Sequence, residues 1–371
     1  MGCVGKKIAI VELFSGIGGF SKGLTDAGFT FGKHYYSEID KHAIANYKYN
    51  FNEAEYIGSV TDVRGDEIEH PDIITFGSPC QDFSLAGKQF GMEGQRSVLI
   101  LEAIRLIREC RPSVFVWENV KGAYSSNDGA DFWAIVAAFA NIGGYRLEWQ
   151  LLNTSWFLPQ NRERIYLIGH LANRSELGVF PLGEGNIGAI KGATNSTVVR
   201  AITAGGHSGG HHSGMTLVRH RSDRPFLQGD IAPTIRTSDK GEIRIVTNTK
   251  AGFEEVKEGD SINFSVPTSK TRRGRVKKGK AQTLDTQCNQ GVLVAQVSRT
   301  EEAKEKRKAS GIRRLTEIEC ERLQGFPDGW TAYGNYDGVV KQISKTQRYK
   351  MCGNAVTTNV VRAIGERLNL L

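Results

Sequence analysis

Cys80 stands in the run Gly77-Ser-Pro-Cys80-Gln81, directly after the apolar stretch Ile73-Ile74-Thr75-Phe76. That spacing puts a thiol just past a predicted strand end, where open α/β sheets assemble their active sites, and a thiolate there can attack an electron-poor carbon. Glu118 follows a second apolar run, residues 114–117, and offers a carboxyl group for proton transfer. Arg162 and Arg164 alternate along an extended segment and so share a face. One guanidinium can then grip a carbonyl while the other holds a phosphate or a carboxylate.

A second constellation lies upstream. Phe14-Ser-Gly16-Ile-Gly18-Gly19-Phe20 follows the first predicted strand and opens a helix, so its small residues let a ligand approach the backbone at a helix N-terminus. Glu38 comes about 20 residues later, at the end of the next strand, where a ribose-binding carboxylate would stand. Asp62, in Gly58-Ser-Val-Thr-Asp62-Val63, follows the third and could accept from an adenine amino group. Taken singly, the glycine turn reads equally as a plain tight turn, and each acid as a helix cap or a surface charge. Together they favour an adenosine-containing cofactor.

The elements that must hold these residues are predicted as strands at 8–14, 31–37, 73–76, 114–117 and 164–169, alternating with helical stretches such as the one bearing Leu99, Ala103, Ile104, Leu106 and Ile107. Such alternation implies an α/β fold with a parallel sheet covered on both faces. From residue 171 the texture becomes rich in Gly, Ser and Thr. Three pairs of short apolar pieces there, 199–203 with 215–218, 231–235 with 243–246, and 280–284 with 292–294, each look like a hairpin. Helical character returns with the capping-box pattern Thr316-Glu-Ile-Glu319, which Gly325-Phe-Pro327 closes, and again after Gly353-Asn354-Ala-Val356. The chain therefore divides into residues 1–170, a catalytic and cofactor-binding domain; 171–310, a β-rich domain; and 311–371, which returns to the first.

The formal charge of +8 is unevenly spread: residues 171–310 hold 23 Lys and Arg against 14 Asp and Glu, leaving the remainder close to neutral. A polyanionic partner for this region is the implied reading. Its densest run, Lys270-Thr-Arg272-Arg273-Gly-Arg275-Val-Lys277-Lys278-Gly-Lys280, contains glycines that suit a flexible loop following a phosphate backbone. The competing reading is a solvated surface loop. Six cysteines without a C-x-x-C pair argue against a zinc site and against a secreted disulfide framework, so a reducing cytosol is expected. His207, His211 and His212 lie among glycines too flexible to preorganise metal ligands, and no metal is expected. No apolar run approaches the roughly 20 residues of a membrane span, so no membrane partner is expected.

Phe14-Ser-Gly-Ile-Gly-Gly19, Gly77-Ser-Pro-Cys80-Gln-Asp-Phe-Ser84, Glu118-Asn119-Val120, Gln160-Asn-Arg162-Glu-Arg164 and Gly353-Asn354-Ala355-Val356, in this order, closely resemble the motif series of the DNA (cytosine-5)-methyltransferase family. The resemblance spans residues 8–170 and 312–368. It implies a Rossmann-like S-adenosyl-L-methionine-dependent methyltransferase sheet with a smaller β-rich target-recognition domain at 171–310. It further implies methyl transfer to carbon 5 of a cytosine flipped out of double-stranded DNA, with Cys80 adding to carbon 6, Glu118 at the nitrogen 3 side, and Arg164 on the base carbonyl with Arg162 beside it. Asn119 is expected to order the loop rather than react.

For the cofactor the resemblance places Phe14, Gly16 and Gly18 at the methionine moiety, Glu38 on the ribose, Ile39 against the adenine, and Asp62 on its amino group. Val63, Pro79, Leu99, Asn354 and Val356 complete the pocket. Gln81 or Ser84 is expected to fill the space the base vacates. Arg272, Arg273, Arg275, Lys277 and Lys278 are expected on DNA, at phosphates or at guanines. A monomer in the bacterial cytosol is expected, with a cognate restriction endonuclease as a further partner. Three alternatives remain at this point. A thymidylate-synthase-like enzyme also uses a Pro-Cys nucleophile but leaves the basic region unexplained; a tRNA cytosine methyltransferase shares the architecture; a DNA-binding regulator with vestigial catalysis has no need of Cys80, Glu118, Arg162 and Arg164 together.

Overall fold

Alternate residues of the central strands are buried on opposite sides of one sheet, which is why those strands read as continuous apolar runs. Ile10, Ile73, Val114 and Val116 face one layer, whereas Val11, Leu13, Ile74, Phe76, Phe115 and Trp117 face the other. The computed structural model describes residues 7–78, 97–125, 130–174, 178–183, 235–237, 243–247, 249–265, 275–295 and 310–368. Its main sheet contains β1 (Lys7–Leu13), β2 (Thr30–Ser37), β3 (Glu55–Tyr56), β4 (Ile73–Gly77), β5 (Val114–Val120), β6 (Tyr145–Asn153) and β8 (Glu163–Leu171), with β7 (Gln160–Asn161) set apart. The order is β3-β2-β1-β4-β5-β8-β6. After β1 the chain moves outward to β2 and β3 and then crosses back to β4, so the carboxyl ends of β1 and β4 flank the point where the winding reverses. Ligands of open α/β sheets bind in that crevice.

The sheet is mixed rather than parallel. β1 to β5 are parallel, but β8 runs antiparallel to both β5 and β6. β6 went unpredicted because it is an edge strand whose residues are mostly half-buried, which blurs the alternation that marks a strand. Only a 3₁₀ turn at Thr154–Trp156 and the two-residue β7 separate β6 from β8, too little for a crossover helix, and such a short return gives antiparallel neighbours.

One layer is covered by α2 (Ser97–Cys110), through Ala103, Ile104, Leu106 and Ile107, and by α3 (Ala130–Ala140), through Phe132, Ile135 and Phe139. The other is covered by α1 (Gly19–Asp26) and by the helix Thr358–Gly365, which returns from the far end of the chain. Those two helices approach closely because of glycine: a Cβ on Gly23 would lie 2.7 Å from the carbonyl oxygen of Thr358, and one on Gly365 would lie 2.8 Å from Ala27 Cβ. The helix Glu317–Leu323 begins with both halves of the predicted capping box, and Gly325 follows it at φ 82°.

Residues 235–314 add two small sheets. β9 (Ile235–Thr237) and β10 (Ile243–Val246) form the second predicted hairpin, with Ile235 opposite Ile245, and β11 (Phe253–Val256) extends it. The first predicted hairpin, 199–218, lies outside the described residues. The third is not a hairpin: β14 (Ala281–Gln282) pairs in parallel with β7, while β15 (Gln290–Ala295) pairs with β12 (Ser261–Asn263) and β16 (Ser310–Arg314). Gln290 takes the place of a ladder between β14 and β15: its side chain accepts from Gln282 N (2.9 Å) and donates to the carbonyls of Gln282 (3.1 Å) and Thr283 (2.8 Å).

Candidate active site

The turn after β1 is strained in a way that only small or locally supported residues tolerate. Phe14, Gly16 and Gly18 all have positive φ, at 51°, 54° and 80°. Below this turn Glu12 is buried and accepts from the backbone of Phe20 (3.2 Å) and Ser21 (3.1 Å), from the Ser21 hydroxyl and from Tyr47 OH (2.9 Å). His34 Nε2 completes the group, 2.7 Å from Tyr47 OH and 2.9 Å from Ser21 Oγ. Glu12 thereby ties the first turn of α1 to β1 and fixes the loop between them. Sequence reasoning passed it over as part of an apolar strand; a lone carboxylate within such a run was the available signal.

Burial raises the Glu12 carboxyl from 4.5 to about 7, and burial lowers His34 from 6.5 to about 4. The two act in opposite senses. A raised acid contributes stability that is complete below pH 4.5 and is lost as pH rises to about 7; a lowered histidine contributes stability that is lost as pH falls from 6.5 towards 4. Wild-type stability should therefore change little between pH 5 and pH 8. In Glu12→Gln only the histidine contribution remains, so the variant should gain on the wild type by on the order of 2 kcal/mol over that interval in urea unfolding. A constant difference at both pH values would refute the assignment.

Glu38, at the end of β2, accepts from the backbone N–H of Gly16 (2.8 Å), Ile39 (2.8 Å) and Asp40 (2.9 Å), so it joins the β1 turn to the next strand end. Ile39 beside it is 78 % exposed, an apolar surface laid open at the crevice. Ser37 Oγ donates to Gly58 O (2.8 Å) and brings up the segment that carries Asp62, which is exposed, and Val63, which is buried. The structure thus gathers Gly16, Gly18, Glu38 and Ile39 at one rim, with the segment that leads from Gly58 to Asp62 tied to the end of β2 beside it. Leu99 is half-buried against the sheet on α2, and Asn354 is exposed at the end of the helix Lys345–Asn354.

Val356 connects this rim to Glu118. A Cβ on Gly19 would lie 2.5 Å from Val356 Cγ2, while one on Gly77 would lie 3.1 Å from Glu118 Oε2 and 4.0 Å from Val356 Cγ1. Glu118 is buried on β5 and lies opposite Tyr166 of β8, which makes Arg164 its diagonal neighbour on the same face. Arg164 Nε stands 3.0 Å from Glu118 Oε1 but is not aligned to donate, so that oxygen has no hydrogen-bond partner among the described residues. A buried carboxylate oxygen left without a donor is costly, and here it faces the strand end where the sequence places the nucleophile.

Arg162 shares that face but not that environment. It is 3 % exposed, donates to Ala355 O (2.8 Å) and Gly353 O (3.4 Å), and is lowered to about 9 by burial and then by neighbouring Arg164. It holds the Gly353–Ala355 turn; the carboxylate-holding partner of the pair is Arg164. Asn119 Nδ2 and Trp117 Nε1 both donate to Ser78 Oγ, at 3.1 Å and 3.0 Å, anchoring the chain two residues before Cys80.

Pro79, Cys80, Gln81, Ser84, Arg272 and Arg273, like His207, His211 and His212, lie outside the described residues. Of the basic run, Lys277 is exposed on β13 (Val276–Lys277), and Lys278 Nζ bonds Asp260 (2.9 Å). Arg275 is 6 % exposed, and its backbone N–H is held by Glu254 (2.7 Å). Residues 275–280 are therefore strand and turn rather than a free loop, and Arg275 sits inside the fold instead of on the surface where a DNA contact was expected.

A family model for C-5 cytosine-specific DNA methylases matches residues 8–369. The type II methyltransferase M.Bsp6I of Bacillus sp. strain RFL6 is 27% identical, covering 97% of this chain and 98% of that protein. The orphan methyltransferase M.SPRI of Bacillus phage SPR is 37% identical over 166 residues, a stretch that spans 38% of its length and 44% of this chain. Among solved structures, the Dnmt2 methyltransferase of S. pombe superposes with a TM-score of 0.57 at 18% identity, covering 96% of each chain, and a putative DNA modification methyltransferase from an E. coli prophage gives 0.57 at 19% identity, covering 97% of this chain and 98% of that one. The mixed sheet, its reversal point and the motifs gathered there agree with the match along nearly the whole sequence: the chain belongs to the C-5 cytosine-specific DNA methylase family, the DNA (cytosine-5) methyltransferases.

Proposed function

We propose that this protein methylates carbon 5 of a cytosine flipped out of double-stranded DNA, through a covalent adduct between Cys80 and carbon 6 of the ring. The observation that carries this reading is the buried Glu118 carboxylate, unpartnered at Oε1 and flanked by Arg164 at 3.0 Å, beside the strand end that leads through Ser78 to Cys80. Carbon 5 of cytosine is a poor nucleophile. Addition of the Cys80 thiolate to carbon 6 forms a carbon–sulfur bond and moves the ring electrons towards nitrogen 3 and the carbonyl, which makes carbon 5 enamine-like. Glu118 holds a proton at nitrogen 3, while Arg164 keeps its carboxyl group in place and stabilises the carbonyl oxygen.

Gly16, Gly18, Glu38, Ile39, Asp62 and Val356 would hold S-adenosyl-L-methionine, which would supply an electrophilic methyl group to carbon 5 and depart as the neutral thioether once its methyl–sulfur bond breaks. The acids, the exposed isoleucine and the open space above Gly16, where a Cβ would meet nothing within 4 Å, suit such a ligand. Water then removes the carbon 5 proton, and the carbon–sulfur bond breaks as Cys80 leaves by β-elimination. A base within a duplex cannot reach the thiol, so the loop bearing Gln81 and Ser84 closes over an extruded nucleotide. Residues 171–310 serve as the target-recognition domain, with Arg272, Arg273 and Lys277 on the phosphates. The phage and bacterial relatives support DNA modification in a bacterial cytosol; a monomeric enzyme, with a restriction endonuclease reading the same site, completes the proposal.

Tritiated methyl transfer should label duplex DNA and not tRNA. Duplexes carrying 5-fluorocytosine should form an adduct that survives denaturing gels, because fluorine cannot leave carbon 5 as a proton does. Label in tRNA alone would overturn the substrate, and active methylation without the adduct would overturn the nucleophile.

A further inference from the structure

The segment 160–164 makes three different joints with alternate residues. Arg164 reaches Glu118 and Arg162 holds the Gly353–Ala355 turn. Gln160, two residues earlier, is fully buried and joins two other parts of the chain: its Oε1 accepts from Leu284 N (3.0 Å) and its Nε2 donates to Leu323 O (2.8 Å), at the end of the helix Glu317–Leu323. Around it β7 lies in register with β14, Ala281 N donates to Pro159 O (2.6 Å), and the Thr283 hydroxyl donates to Asn161 O (2.8 Å). The same stretch of the β-rich region then passes against the cofactor-side turn, since a Cβ on Gly353 would lie 2.6 Å from the backbone of Asp285.

We propose that Gln160 is a positioning residue for target engagement, a clasp that holds residues 281–284 of the β-rich region in register with the Arg164–Glu118 pair on the same extended segment. The assignment rests on the reading of residues 171–310 as the part that meets DNA. An amide side chain suits the task because it accepts and donates at once, satisfying an N–H from one side and a carbonyl from the other, both of which would otherwise be buried without a partner. Displacing 281–284 shifts the surface that meets DNA relative to Glu118, whereas the contact with the cofactor side is made by Asp285 against Gly353, past the residues that Gln160 and Thr283 hold, so DNA affinity should fall further than cofactor affinity.

The test is steady-state methylation of duplex DNA by the full chain, with S-adenosyl-L-methionine affinity measured separately by calorimetry without DNA. Gln160→Ala should raise KM for DNA about tenfold, with a smaller fall in kcat, while affinity for S-adenosyl-L-methionine stays within about twofold of wild type. Thr283→Val, which removes only the Thr283–Asn161 bond, should shift KM for DNA in the same direction by a few fold, and it tests the same joint if Gln160→Ala does not fold. Wild-type KM for DNA in Thr283→Val, or a loss of cofactor affinity matching the loss of DNA affinity in either variant, overturns the clasp. Wild-type enzyme that methylates no DNA would instead overturn the functional reading on which it rests.

Discussion

Glu118→Gln lowers kcat by about 10²–10⁴-fold while duplex binding stays at wild-type level; stability falls as well, because Arg164, largely enclosed, loses the carboxylate 3.0 Å from its Nε. The substitution keeps the shape of the side chain and one carbonyl-type oxygen, so the close packing against Gly77, where a Cβ would sit 3.1 Å from Glu118 Oε2, survives. What disappears is a group able to hold an exchangeable proton at nitrogen 3 and the negative charge that orients Arg164. No aligned hydrogen bond is lost at Oε1, so the stability cost comes from the ion pair with Arg164. A purely structural role for that pair would lower stability without slowing methyl transfer by the folded enzyme. Single-turnover methyl transfer, read with duplex binding and unfolding, separates the cases. Chemistry within a few fold of wild type would remove Glu118 from the mechanism.

How much of this site the sequence disclosed follows from which forces act locally. Cys80, Glu118 and the turn at 14–18 are announced by apolar runs that end abruptly in chemistry-bearing residues, and the winding order of the sheet then brings β1, β4 and β5 together. Pairing partners are not local. The stretches 280–284 and 292–294 look like two arms of a hairpin, yet β14 is claimed by β7 through register and through Gln160, and a side chain, Gln290, bridges the gap. Burial of charge is equally hidden. Arg162 and Arg164 are indistinguishable as text, but one is enclosed by the carbonyls of a turn almost two hundred residues away, and Arg275 in a basic run folds inward. Glu12 was obscured for the opposite reason, since a strand that reads as core carries the carboxylate that caps α1.

Glu321→Ala should destabilise the protein by about 3–5 kcal/mol, the range for removing one partner from a buried ion pair. Glu321 is fully buried and accepts from Gly329 N (2.7 Å), Thr331 N (2.9 Å), the Thr331 hydroxyl and Arg348 Nη2 (2.9 Å). Its loss leaves Arg348 largely enclosed, with Thr331 Oγ1 (3.0 Å) as the one remaining acceptor among the described residues, and strands two backbone donors. Nearby Asp328 pairs with Arg322 on the surface, both partly exposed, so Asp328→Ala should cost less than about 1 kcal/mol. The contrast tests burial rather than charge, because both variants delete one carboxylate from an arginine pair. The consequence extends to the cofactor rim, since Arg348 lies in the helix Lys345–Asn354, whose end enters the turn that Arg162 holds and that presents Val356 to Gly19. Urea unfolding of both variants, with S-adenosyl-L-methionine affinity measured well below the transition, should show weaker cofactor binding in Glu321→Ala alone; equal stability losses in the two would mean that the enclosed network contributes no more than a surface pair.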